Sequence, residues 1–206
     1  MPTHRAVPFA TASVLLLLLA ACTPAPGADP GSDPSGGATG AADSASGSTD
    51  CLVDRTWVLN TDDLAAQLAA NITANGLTVT QSTADGRQTV EFASDGTATS
   101  SVDVTYTIAV DTGDGLVMTI VQTHSGTPGG QWAWLGDSST LTFSNWDNGG
   151  YSVQNTILID GVAVDAPIDI PSDTLSGTDM ETSCEGNTLS THVAVSPFTQ
   201  HWIAEG

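Results

Sequence analysis

Beyond the N-terminal region, the side chains able to carry chemistry are three histidines, His124, His192 and His201, and a crowd of acids, Asp160, Asp165, Asp169, Asp173, Asp179 and Glu181. Hydrolysis by a serine needs a nucleophile, a histidine base and an orienting acid, commonly with the serine on a G-x-S-x-G turn. The chain has no such turn. Zinc ligands come in closely spaced pairs, and no two of these histidines are so spaced. His124, in Thr123-His124-Ser125-Gly126, is expected in an exposed loop, and His192 and His201 at the surface or rim of the last two strands. Calcium requires several oxygens converging on one point. The acidic stretch lacks the glycine and terminal glutamate of a helix–loop–helix calcium site and reads as a solvated face, although Asp165 and Asp169 flank Pro167 at an irregular edge suited to a cation. No catalytic residue, resident metal or cofactor is expected, and the chain is not expected to be an enzyme.

Ala109-Val110-Asp111-Thr112-Gly113 resembles the hydrophobic-hydrophobic-Asp-Thr-Gly signature of aspartic proteases. That chemistry needs two carboxylates close enough to share a proton. No second Asp-Thr-Gly or Asp-Ser-Gly occurs, and Asp114-Gly115 follows at once, so the segment reads as a hairpin turn. The aromatic residues suggest binding instead. Trp132 and Trp134 are two apart and point to one face of a strand. Trp146, in the expected turn Asn145–Gly150, and Tyr151 are placed at one rim. Such side chains inside a barrel either fill it or line an apolar pocket. The residues expected to line that pocket are Trp132, Trp134, Met118, Phe143 and Ile157.

These residues need a scaffold. Residues 55–59 read as a first strand, and Asn60 or Thr61 as the cap of a helix with Asp62 and Asp63 in its first turn. Leu64, Leu68 and Ile72 form its apolar stripe, and Asn75-Gly76 ends it. Everything after it alternates with period two, as in Val90 and Phe92, Val102 to Val110, and Leu141 and Phe143. Asp85-Gly86, Asp95-Gly96, Asp114-Gly115 and Asp160-Gly161 read as hairpin turns. The expected fold is mainly β: an antiparallel up-and-down barrel of about nine or ten strands with one helix after the first strand, since closure removes long edges.

Trp57 in a first strand, Phe92-Ala93-Ser94-Asp95-Gly96-Thr97, and Gly186-Asn187-Thr188-Leu189 resemble the lipocalin-like domains of bacterial lipoproteins. Those domains open on a G-x-W-like strand, continue through an F-x-x-D-G-T hairpin and close on a strand with a G-[DN]-T-L turn. The resemblance implies a lipocalin-like barrel. Arg55 stands where the glycine would be, and no arginine follows Arg87 to cover the first-strand tryptophan.

The N-terminus supplies an address. Arg5 precedes an apolar run that ends in Leu19-Ala20-Ala21-Cys22. A basic start, an apolar core of about a dozen residues and a small-residue exit make a secretory signal peptide. Leu19-Ala20-Ala21-Cys22 resembles the lipobox of bacterial lipoproteins, which implies cleavage after residue 21 and acylation of Cys22. The expected organisation is a signal peptide at 1–21, a lipidated disordered tether at 22–50 and a barrel domain at 51–206. The tether is almost wholly Pro, Gly, Ala, Ser, Thr and Asp, with a reach of roughly 30 Å. Beyond residue 21 only Arg55 and Arg87 oppose 23 acids, a net charge of −21. A surface of that sign does not bind nucleic acid, which requires Lys and Arg clusters. With Cys22 carrying lipid, Cys51 and Cys184 remain as an even pair in an oxidising compartment and are expected to be disulfide-bonded.

The expected function is therefore that of an extracytoplasmic lipoprotein, anchored to the cell membrane through Cys22, whose barrel binds a hydrophobic or amphipathic small molecule. The alternative is a non-enzymatic surface interaction or divalent-cation-binding module with a solid core. The sequence names no protein partner.

Overall fold

The computed structural model describes residues 49–113, 115–135, 139–164 and 177–205. Two helices and eleven strand segments follow one another: α1 (Thr49–Leu52), β1 (Thr56–Leu59), α2 (Thr61–Ala74), β2 (Thr78–Phe92), β3 (Thr97–Asp111), β4 (Val117–Gly126), β5 (Gly129–Trp134), β6 (Thr140–Asp147), β7 (Ser152–Ile159), β8 (Val162–Val164), β9 (Asp179–Glu185), β10 (Thr188–Val193) and β11 (Thr199–Ala204). Eight of these strands close a barrel in the order β1-β2-β3-β5-β6-β9-β10-β11, with β1 pairing back onto β11 and every pairing among the described residues antiparallel. The fold is thus a closed antiparallel β-barrel, consistent with the lipocalin-like expectation.

The strand segments exceed the expected number because two long strands bend. Thr127 and Pro128 separate β4 from β5, and residues 148–151 separate β6 from β7. The β5–β6 pair lies in the barrel wall, whereas β4 and β7 pair with one another beyond it. There the far halves of β2 and β3 continue past the barrel as a sheet, extended by β4, β7 and β8.

Alternation decides what faces inward. Ala98, Ser100, Val102, Val104 and Tyr106 are buried in β3, while Thr99, Ser101 and Asp103 between them are exposed. Trp57, Phe92, Trp132, Leu141, Phe143, Met180, Leu189 and Trp202 converge from the seven other barrel strands and α1 closes over them with Leu52. Trp57 is fully buried, and its indole Nε1 donates to the Leu52 carbonyl at 2.9 Å. Burial of such an aromatic side chain outweighs most single contacts in the core. Cys51 and Cys184 are disulfide-bonded, tying α1 to β9. Arg55, which displaces the expected glycine, itself covers Trp57: its guanidinium carbon lies 6.0 Å from the ring centroid and its Nη1 donates to Gly186 O at 2.6 Å.

Helix α2 forms where its signals place it. The Asn60 side chain accepts from Asp63 N at 3.1 Å, and Gly76 takes φ +90° after the last turn. Ala65, Leu64 and Leu68 pack on Val102, Val104 and Tyr106, so the helix lies on the inner face of the sheet extension.

Three expectations need correction. Asp85-Gly86 is no hairpin: it lies inside β2, between the registered pairs Ala84↔Tyr106 and Gln88↔Val102. Gly86 has φ +101°, and a Cβ there would overlap the Asp103 carbonyl, so the glycine serves close backbone approach rather than reversal. His124 lies on β4 rather than in an exposed loop, and Trp146 lies on β6 rather than in a turn. In both cases a local Gly signal suggests a turn where cross-strand pairing prolongs the strand. Asp95-Gly96 and Asp160-Gly161 do sit at strand reversals, whereas Asp114 lies outside the described residues.

Candidate ligand cavity in the barrel

A cavity of about 230 Å³ occupies the barrel beyond the α1 end. Its floor is apolar: Val90, Phe92, Phe143, Met180, Leu189 and Trp202. Gln88 lies two residues from Val90 on β2, and Gln200 two residues from Trp202 on β11. Each amide therefore stands one inward step farther from α1 than the floor residue on its own strand. Asn148 and Tyr151, from the bend between β6 and β7, add two further polar side chains to the lining.

The polar groups at the floor are already committed. Trp202 Nε1 donates to Thr191 Oγ1 at 3.1 Å, and Thr191 Oγ1 donates to Gln200 Oε1 at 3.2 Å. Ser100 Oγ donates to Thr89 O at 2.7 Å. By contrast, the Gln200 Nε2 group and the side-chain amides of Gln88 and Asn148 have no hydrogen-bond partner among the described residues. No Asp, Glu, Lys, Arg or His lines the cavity among the described residues.

Tyr151 connects the cavity to a second buried cluster beneath α2. Its hydroxyl is 2.6 Å from His124 Nδ1, while His124 Nε2 is 2.7 Å from Gln122 Oε1, and Gln122 Nε2 donates to Asn155 Oδ1 at 2.9 Å. One directional arrangement satisfies the whole chain: Tyr151 donates to neutral His124, which donates through Nε2 to Gln122. Burial pushes the His124 imidazole down to about 4, so the ring is neutral at neutral pH. Burial also raises the Tyr151 phenol, and burial with the neighbouring Tyr151 pushes Tyr106 up to about 12. Tyr106 meets the His124 ring edge-on at 5.6 Å, yet its hydroxyl is buried without a partner.

Neither a protein-family model, nor a curated protein, nor a solved structure matches the chain. What the site does must be read from its own residues.

Of the residues expected to line a pocket, Phe143 reaches this cavity. Trp132 stands behind it, edge-on to Phe92 at 5.5 Å, with its Nε1 donating to Ala93 O at 3.2 Å. Trp134 packs at the edge of the same core, and its indole nitrogen is buried without a partner. Met118 and Ile157 lie on β4 and β7 in the sheet extension, where Met118 pairs with Ile159 and Ile120 with Ile157. Trp202 and Met180 line the cavity but were not singled out by sequence; Trp202 alternates with exposed His201 and Ile203, which is the signal that places it inward.

The other candidates stay apart. His201 Nδ1 contacts Asp63 Oδ2 at 2.8 Å, and this bond holds the Asp63 carboxyl below its usual range. His192 contacts Phe198 O. Asp111 accepts from Gly113 N at 2.8 Å and shapes the turn after β3. Asp160 accepts from Val117 N, whereas Asp165, Asp169 and Asp173 lie outside the described residues. Among the described residues no three His, Cys, Asp or Glu are grouped as a metal centre would need. Cys22 also lies outside them.

Proposed function

We propose that the protein is a non-enzymatic cell-envelope lipoprotein, held to the outer face of the cell membrane through an acylated Cys22, whose barrel binds a hydrophobic or amphipathic small molecule. The cavity carries this reading: an apolar floor below unpartnered amides is a place for a molecule with one apolar and one polar end. The signal-like N-terminus and the Gly/Ser/Ala/Pro tether support the address, and an oxidising compartment suits the Cys51–Cys184 disulfide. The cavity of about 230 Å³ is smaller than the ~300–1,000 Å³ of drug-sized sites, so the cargo is a small molecule and not a whole lipid.

Native mass spectrometry of the protein taken gently from its envelope, repeated after denaturation, tests this. A mass lost on denaturing, beyond the acyl chains of Cys22, establishes a carried ligand. A bare mass that shifts only on adding Ca²⁺ replaces the reading with a cation-binding module.

A further inference from the structure

We infer that the barrel ligand is a small uncharged molecule with a neutral hydrogen-bonding head, held by the unpartnered amides of Gln88, Asn148 and Gln200. This deepens the reading of the barrel as a binding site and rests on it.

Three observations converge. The first is size. A cavity of about 230 Å³ is below the ~300–1,000 Å³ of drug-sized sites. The second is charge. Among the described residues no ionised side chain lines the cavity, and the one titratable group that does, Tyr151, is a phenol that burial raises further above its ordinary value. A carboxylate or ammonium ion would enter without a counter-charge, and burying an unpaired ion is far costlier than burying a hydrogen-bonded neutral group. Outside, the excess of 23 acids over two cations beyond residue 21 further disfavours anions.

The third is hydrogen-bonding capacity. Thr191 engages Gln200 Oε1, which fixes the amide and turns its Nε2 donor away from that bond. The amides thus offer both donors and acceptors, the complement of a primary amide, an alcohol or a phenol. These amides are half-buried and open to water in the empty site, so a head group that replaces those hydrogen bonds is preferred to a purely apolar molecule of equal size that displaces the water without replacing it.

The mature full-length chain in lipid nanodiscs, with empty discs subtracted, is titrated with hexanamide, hexanoate and toluene while tryptophan fluorescence is followed. Hexanamide and hexanoate have the same heavy-atom count and differ in charge. Hexanamide is expected to bind at least about tenfold tighter than hexanoate at neutral pH. Gln200→Leu and Gln88→Leu are expected to weaken hexanamide by about tenfold and leave toluene unweakened, near-ultraviolet circular dichroism confirming the fold. Hexanoate binding as tightly as hexanamide overturns the uncharged class while toluene binding keeps the barrel reading. Hexanamide binding unchanged in both Leu variants overturns the assignment to these amides. Failure of all three probes, toluene included, overturns the barrel reading itself.

Discussion

The Tyr151 hydroxyl lies 2.6 Å from His124 Nδ1, a contact that joins the wall of the barrel cavity to a half-buried histidine in the cluster beneath α2. The bond is made between two residues far apart along the chain, on β4 and in the bend before β7, and it holds only while the imidazole remains neutral. Its proton inventory has consequences for stability.

His124 has a folded pKa of about 4 against an ordinary 6.5, because burial disfavours its charged form. The unfolded chain therefore binds more protons between these values, so the contribution is present above pH 6.5 and is lost as pH falls through 4. The loss has an upper bound of about 3 kcal/mol. Urea unfolding at pH 7.5 and pH 4.5 is expected to show a larger acid destabilisation in the wild type than in His124→Gln, the subtraction removing the common effect of the acidic surface. Equal pH dependence in the two proteins would refute a histidine held neutral by its surroundings.

Two tyrosines in this cluster are expected to respond oppositely. Tyr106 Oη has no partner, so Tyr106→Phe removes an unsatisfied group and leaves stability unchanged or raised, by up to about 1 kcal/mol. Tyr151→Phe strips His124 Nδ1 of its partner and is expected to cost about 1–2 kcal/mol. Chemical denaturation midpoints of the two variants give the comparison directly.

Gly86→Ala places a Cβ against the Asp103 carbonyl in a left-handed conformation, inside a paired strand. A loss of about 2–4 kcal/mol is expected, combining strain and displaced pairing. Gly113→Ala, at φ +86° with open space around its Cα, should lose only about 1 kcal/mol. Similar melting temperatures for the two variants would remove the close-approach argument.

The disulfide closes a loop with a sequence separation of 133 and anchors the α1 cap. Cys51→Ala with Cys184→Ala is expected to cost about 5 kcal/mol in the loop-entropy account. Because α1 covers the end of the core with Leu52 and receives the Trp57 hydrogen bond, the loss should also appear as increased Trp57 fluorescence quenching by acrylamide.

Much of the scaffold was legible. The period-two rows from Val90 to Trp202, the Leu64–Leu68–Ile72 stripe and the Asn60 and Gly76 boundaries are local patterns, and local patterns are read from neighbours in the chain. The pairing of Cys51 with Cys184 followed from their number. The cavity was less legible, because inward direction alone does not tell which inward residues meet. Met118 and Phe143 both face inward on their strands, yet the bends at residues 127–128 and 148–151 send one onto the sheet extension and the other to the cavity floor.

The sequence by itself determined the alternation, the helix and the acidic composition, because each depends on residue type and short spacing. Tertiary structure decided that Gly86 stays within a strand, that His124 is half-buried and neutral, and that Gln88 and Gln200 line one cavity. Those properties arise from closure: strands β1 and β11, distant in the chain, pair and fix the register of every wall between them, and only then does a residue acquire its neighbours and its dielectric surroundings.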